Sequence, residues 1–171
     1  MIPLQSFNNS VLLVTMNMLG QLGTGEILVT FFGILYWAIS PRICYDAIWL
    51  VPISEILNGM LKWIFQVPRP GWIDNKVEIR SVSHEFSFPS SHAMIIWSLA
   101  AYFSQYIHFY PYAIASLVAL SRVYEGAHYP HDVIIGGILG FLLGKAHARC
   151  LPFIKISLPA AAWQSFLIGI A

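Results

Sequence analysis

Apolar runs succeed one another along this chain, with a single long polar loop, Val67 to Phe88, between them. That pattern constrains the fold more than anything else in the sequence. About 20 apolar residues in helical form cross roughly 30 Å of hydrocarbon, where the backbone has to satisfy its own polar groups. The expected spans are Thr24 to Ser40, Ile43 to Gln66, Ser90 to Ile107, Tyr110 to Tyr124, Asp132 to Ala148 and Phe153 to Ala171, the last interrupted by Pro159. Residues 5–20 mix Gln5, Asn8, Asn9 and Asn17 with Leu12, Leu13, Val14 and Leu19. Such a segment is too polar to span and apolar enough to lie in the interface. The expected fold class is all-α: a polytopic membrane bundle of about six transmembrane helices plus an N-terminal interfacial helix, in one domain over residues 1–171.

Composition agrees. Only 10% of residues are charged and 57% are apolar, with a mean hydropathy of +0.67; soluble domains carry about 25% charged residues. A net charge of +1 leaves no basic face for displacing counterions, so nucleic acid is not expected as a partner. Cys44 and Cys150 have no metal-like or redox-like spacing and are expected to be unpaired. The start, Met1-Ile2-Pro3, lacks a basic stretch, so the first span is expected to serve as its own insertion signal. Arg42, Lys145, Arg149 and Lys155 fall near span ends on one side, and the positive-inside rule puts them in the cytoplasm. The polar loop then faces outward in a plasma or inner membrane. Both cysteines fall near the cytoplasmic face.

Three clusters converge on that outer mouth. The first is Lys62, in the last turn of the second span, with Arg69 between Pro68 and Pro70. In the second, Phe88-Pro89-Ser90-Ser91-His92, a turn opens the third span. The third runs from Ser121 and Arg122 through His128 to Asp132. A nucleophilic imidazole needs one nitrogen free and the other held by an acceptor; His128 and Asp132 can supply that pair. Lys62, Arg69 and Arg122 offer cations for an anion, and the helix N-terminus beside Ser90 and Ser91 offers N–H groups. Phosphoryl transfer suits such a set, because its catalysis is largely positioning and electrostatic clamping.

The combination Lys-x6-Arg-Pro, Pro-Ser-Ser-His and Ser-Arg-x5-His-x3-Asp resembles the type 2 phosphatidic acid phosphatase (PAP2) superfamily, over roughly residues 24–148. One departure is Ser91, where the family often has glycine; a position needing positive φ would disfavour serine. The resemblance implies that His128 attacks phosphorus and forms a phosphohistidine, with Asp132 fixing its tautomer. It implies that His92 protonates the leaving oxygen and then activates water, and that Lys62, Arg69, Ser90, Ser91 and Arg122 hold the phosphate. No metal or other cofactor is expected. The expected substrate is a lipid phosphate or diphosphate of isoprenyl diphosphate, phosphatidylglycerophosphate or phosphatidate type, met at headgroup depth among membrane lipids. Alternatives are a soluble sugar phosphate, transfer to an acceptor other than water, vanadate-dependent halide oxidation, and a non-catalytic scaffold.

Other residues carry plainer expectations. His131 is the competing histidine, and spacing from Arg122 favours His128. His84 reads as solvated; His108 and His147 belong to the opposite face. Glu55, Asn58 and Lys62 form a polar stripe, in which Glu55 reads as a buried partner orienting Lys62 or a neighbouring helix. Ser121 and Pro70 are further candidates for supporting the site. Glu26 and Glu125 read as ion-pair partners. Gly136, Gly140 and Gly144 make a close-packing stripe. Trp37, Trp49, Trp63, Trp72 and Trp97 are expected near span ends, with Trp72 a candidate for lining the substrate entrance.

Overall fold

The computed structural model describes residues 9–150 apart from 76, 79 and 81–83. These residues contain helices and no strand: α1 (Ser10–Gln21), α2 (Gly25–Ile34) continued by a π-helical turn (Leu35–Ile39), α3 (Pro41–Ile48), α4 (Leu50–Phe65), α5 (Pro70–Ile73), α6 (Ser91–Ile107), α7 (Tyr110–Tyr124) and α8 (Pro130–Cys150). The boundaries have local causes. Asn9 caps α1 by accepting from the Val11 N–H at 2.9 Å. Ser40 caps α3, with Pro41 at its first position, where a missing N–H costs nothing. Gln66 enters the left-handed region and closes α4, and Pro68 follows, a residue that cannot continue a helix interior.

α6 is the central helix. It packs most extensively on α8, then on α7 and α4. The α8 contact rests on the glycine stripe. A Cβ at Gly136 would stand 2.6 Å from the Ser90 carbonyl oxygen, and Cβ atoms at Gly140 and Gly144 would collide with the carbonyls of Met94 and Ser98. Ser90, Met94 and Ser98 step by four, as the glycines do, so two backbones lie in contact along one ridge. The apolar core fills the space between α6 and the other helices, with Phe32 and Leu35, Cys44 and Leu50, Ile95 and Leu99, and Ala115 and Val118.

Large apolar side chains cover the outside as well, among them Val29, Trp37, Ile56, Ile64, Ile134 and Leu142. In water such a surface would be a liability, and in lipid it is the ordinary exterior. Among the described residues, two helical stretches are long and apolar enough to cross a membrane, Pro41–Ile73 and Pro130–Cys150. A third joins them if Ser10–Gln21 and Gly25–Ile39, bent by 68° to each other, count as one span. With 17 and 15 residues, α6 and α7 reach only about 26 and 22 Å, so the expected count of six is not met by length among the described residues. The expected span 153–171 lies outside them.

The expected second span lies within one such stretch, Pro41–Ile73, its helix interrupted at Trp49, which keeps helical φ and ψ. Two expectations are corrected. Trp97 is no end anchor: it sits in mid-α6, its indole against Gly137 and 5.7 Å from the Tyr112 ring. Glu55 is exposed, while the inward face of α4 carries Ser54, Asn58 and Lys62. Both cysteines are free, Cys44 buried and Cys150 exposed.

Candidate active site

The end of α4, the loop after it, the starts of α6 and α8 and the end of α7 meet at one end of the bundle. Lys62 lies in the last turn of α4. Arg69 is extended because a proline follows it. Its Nε donates to the Glu85 carbonyl at 2.8 Å and its Nη1 to the Ala127 carbonyl at 2.9 Å. One arginine therefore ties the polar loop to the α7–α8 connection. Arg80 adds a second tie, its N–H donating to the Glu125 carbonyl at 3.1 Å and its guanidinium lying 4.6 Å from the Tyr124 ring centroid.

Ser90 caps α6, and its own N–H donates to the Asp132 carbonyl at 3.1 Å. That bond joins the first turns of α6 and α8, the register the glycine stripe continues. Ser91 opens α6 in helical conformation, and the non-glycine residues at positive φ among those described are Gln66 and His108. Serine therefore meets no backbone strain in place of the family's glycine. His92 follows, half-buried, with Gly23 so close that a Cβ there would stand 2.6 Å from its ring. The charges of Arg122, Lys62 and Arg69 all act on His92.

His128 is 1% exposed. Its Nδ1 lies 3.5 Å from Asp132 Oδ2 and 3.4 Å from Ser87 Oγ, while its Nε2 lies 3.5 Å from Arg69 Nη1. Asp132 Oδ2 is itself fixed by the Ser87 hydroxyl at 2.5 Å and the Tyr129 N–H at 3.0 Å. The arrangement favours a proton on Nδ1 and a lone pair on Nε2. Burial, with help from Arg69 and Arg122 and against the pull of Asp132, pushes the His128 imidazole down to about 4.

His131 is 62% exposed, stacks on Tyr129 at 5.3 Å and touches the other Asp132 oxygen at 3.1 Å. Lys62 gives its ammonium to Glu85 Oε2 at 2.5 Å, and Arg122 pairs with Glu125 at 2.5 Å. Glu125 is thus the ion-pair partner expected of it. The Ser121 hydroxyl turns back to the Val118 carbonyl of its own helix at 2.8 Å, and Pro70 is buried at the start of α5. His84 and His108 are exposed, and His147 contacts the Asp46 carbonyl at the far end of the bundle. Trp72 is exposed, its ring against Phe86. Glu85 and Ser87 carry site contacts that motif spacing did not single out; only their place just before Phe88-Pro89-Ser90 hints at them.

Fold and site together define a class: a helical bundle with lipid-type surfaces, carrying at one end buried cationic side chains and a buried imidazole–carboxylate pair. Residues 44–155 match the model of the PAP2 superfamily, and the chain belongs to it. It is 36% identical to phosphatidylglycerophosphatase B of Bacillus subtilis over 107 residues, 53% of this chain and 49% of that one. It is 29% identical to human glucose-6-phosphatase 3 over 152 residues, 72% of this chain and 44% of the relative. The chain thus spans less than half the length of these curated relatives. The crystal structure of Aquifex aeolicus LpxE superposes with a TM-score of 0.77 at 24% identity, covering 85% of this chain and 90% of the other.

Proposed function

We propose that this chain is a membrane phosphatase that hydrolyses a lipid phosphate or diphosphate through a phosphohistidine at His128. One observation carries the reading: a buried imidazole holds one nitrogen on Asp132 and turns the other toward Arg69. Nε2 attacks phosphorus, the bond from phosphorus to the leaving oxygen breaks, and His92 gives that oxygen a proton. His92 then takes a proton from water, whose oxygen displaces the imidazole and releases phosphate. Lys62, Arg69, Arg122 and the first N–H groups of α6 beside Ser90 and Ser91 stabilise the equatorial charge.

A lipid is favoured over a soluble sugar phosphate because apolar surface surrounds the site end. Trp63, Ile64, Phe65, Trp72 and Ile73 are exposed beside Lys62 and Arg69. An apolar groove of ≈ 420 Å³ between α2 and α6–α7 includes Leu22, next to the glycine that abuts His92. In this reading α6 and α7 also cross the bilayer in a single domain, and the site faces the extracytoplasmic side. The test is phosphate release in detergent from an isoprenyl diphosphate, phosphatidylglycerophosphate, phosphatidate and glucose 6-phosphate. His128→Ala should abolish release and His131→Ala should retain most of it. Labelled substrate quenched in alkali should leave phosphate on His128. Release chiefly from glucose 6-phosphate overturns the lipid assignment, and loss of turnover in His131→Ala with retention in His128→Ala overturns the nucleophile.

A further inference from the structure

Two cations of the phosphate pocket already hold a carboxylate from the protein itself, and the two carboxylates differ in their freedom. Glu125, on Arg122, has a side chain 4% exposed. Gly20 lies against it so closely that a Cβ there would collide with Glu125 Oε1. That carboxylate has no way out. Glu85, on Lys62, has a side chain 69% exposed, although the lysine it reaches is 6% exposed. It enters a buried cation from the solvent side.

The backbone around Glu85 is fixed independently of this contact. Its carbonyl accepts from Arg69 Nε, and two residues on the Ser87 N–H donates to the Val67 carbonyl at 2.7 Å. The carboxylate can therefore swing on its side-chain torsions without moving the backbone, and because the ammonium it leaves is buried, another anion has to take its place. Lys62 most of all, with Arg69 adding to it, holds the Glu85 carboxyl below the usual carboxylate range, so it is an anion at any ordinary pH.

We propose that the Glu85 carboxylate is a displaceable internal ligand of the phosphate pocket: it neutralises Lys62 between turnovers and yields the ammonium to an incoming phosphate group. The inference rests on reading the site as a phosphate pocket. Glu85 then competes with substrate and product for one cation. It weakens the hold on the released phosphate, which meets Lys62, Arg69 and Arg122 together and would otherwise leave slowly. Its role is selectivity and discharge, and the chemistry stays with the histidines.

The test is calorimetric binding of inorganic phosphate to the full chain in detergent, for the unchanged protein, Glu85→Gln and Glu85→Ala. Both substitutions keep the backbone carbonyl that Arg69 uses. A competing carboxylate predicts tighter phosphate in both variants, roughly 1.5-fold to fivefold, the range of a partly exposed ion pair, with deeper product inhibition. A carboxylate that merely orients Lys62 predicts the opposite sign, so unchanged or weaker binding overturns the proposal and leaves the pocket reading intact. Absence of phosphate binding in all three proteins overturns both.

Discussion

Ser87 Oγ donates to Asp132 Oδ2 at 2.5 Å, and both residues are fully buried. The bond crosses from the polar loop to the first turn of α8 and holds the carboxylate that faces His128 Nδ1. A hydroxyl bonded to a buried anion contributes roughly 1.5–3 kcal/mol. Ser87→Ala should therefore lower kcat about tenfold to a hundredfold while KM for a lipid phosphate changes little, since no phosphate-holding group is touched. Asp132→Asn should cost more, because it also removes the acceptor that sets the imidazole tautomer. Steady-state kinetics on the two variants check the order; equal losses in kcat and KM for Ser87→Ala would contradict it.

The His128 imidazole, pushed down to about 4 chiefly by burial, has a consequence for stability. The unfolded chain takes up a proton near pH 6.5, whereas the folded chain resists protonation until about pH 4. Between those values the unfolded state binds more protons, so stability falls as pH falls through that window. Above pH 6.5 the contribution is fully present. Thermal unfolding in detergent from pH 7 to pH 4 should show a decline that His128→Asn reduces. Identical pH dependence in the two proteins would argue against a buried neutral imidazole.

Much of the site is legible in the sequence because it rests on short-range spacing. Three residues between His128 and Asp132 let the carboxylate in the first turn of α8 reach back to Nδ1, and the prolines around Arg69 dictate its extended backbone. Glu85 and Ser87 are not legible in this way. Their roles depend on how an irregular loop folds over distant helix ends, and no periodicity reports that. The polar stripe on α4 failed for a different reason. Ser54, Asn58 and Lys62 repeat every four residues and face inward, whereas Glu55 is turned about 100° from Ser54 around the helix axis. The break at Trp49 is marked by Pro52, which has no N–H to donate to the Ile48 carbonyl four residues back and stands in the first turn of α4. Ser91 is an ordinary helical position, so the backbone there does not call for the family's glycine.

The glycines offer a paired test of packing. A Cβ at Gly136 meets the Ser90 carbonyl at 2.6 Å, while one at Gly59 meets nothing within 4 Å. Gly136→Ala must push α8 away from the first turn of α6, shifting Ser90 and its bond to Asp132. Overpacking of this kind costs about 1–3 kcal/mol, and weaker phosphate binding should accompany it. Gly59→Ala, in mid-α4, should be neutral or stabilising by up to about 1 kcal/mol. Melting temperatures and phosphate affinity measured side by side check the pair. Equal effects at the two positions would mean that the α6–α8 backbone contact does not set the geometry of the pocket.

Arg122 and Glu125 present the opposite situation to Lys62 and Glu85, because here both partners are buried and Gly20 closes over them. Burial pushes the Glu125 carboxyl up, and the Arg122 guanidinium opposes that shift. Removing one charge leaves the other desolvated, which costs roughly 3–5 kcal/mol for a buried pair. Glu125→Gln keeps the shape and some hydrogen bonding, so it should lie near the lower end, with Glu125→Leu above it. The contact of α1 with Glu125 makes a second readout available. Proteolysis of the α1–α2 junction near Gly20 and Gly23 should accelerate in both variants, since the element that closes over the pair loses its footing. Unaltered melting and unaltered cleavage would show that the pair is solvated and that α1 does not depend on it.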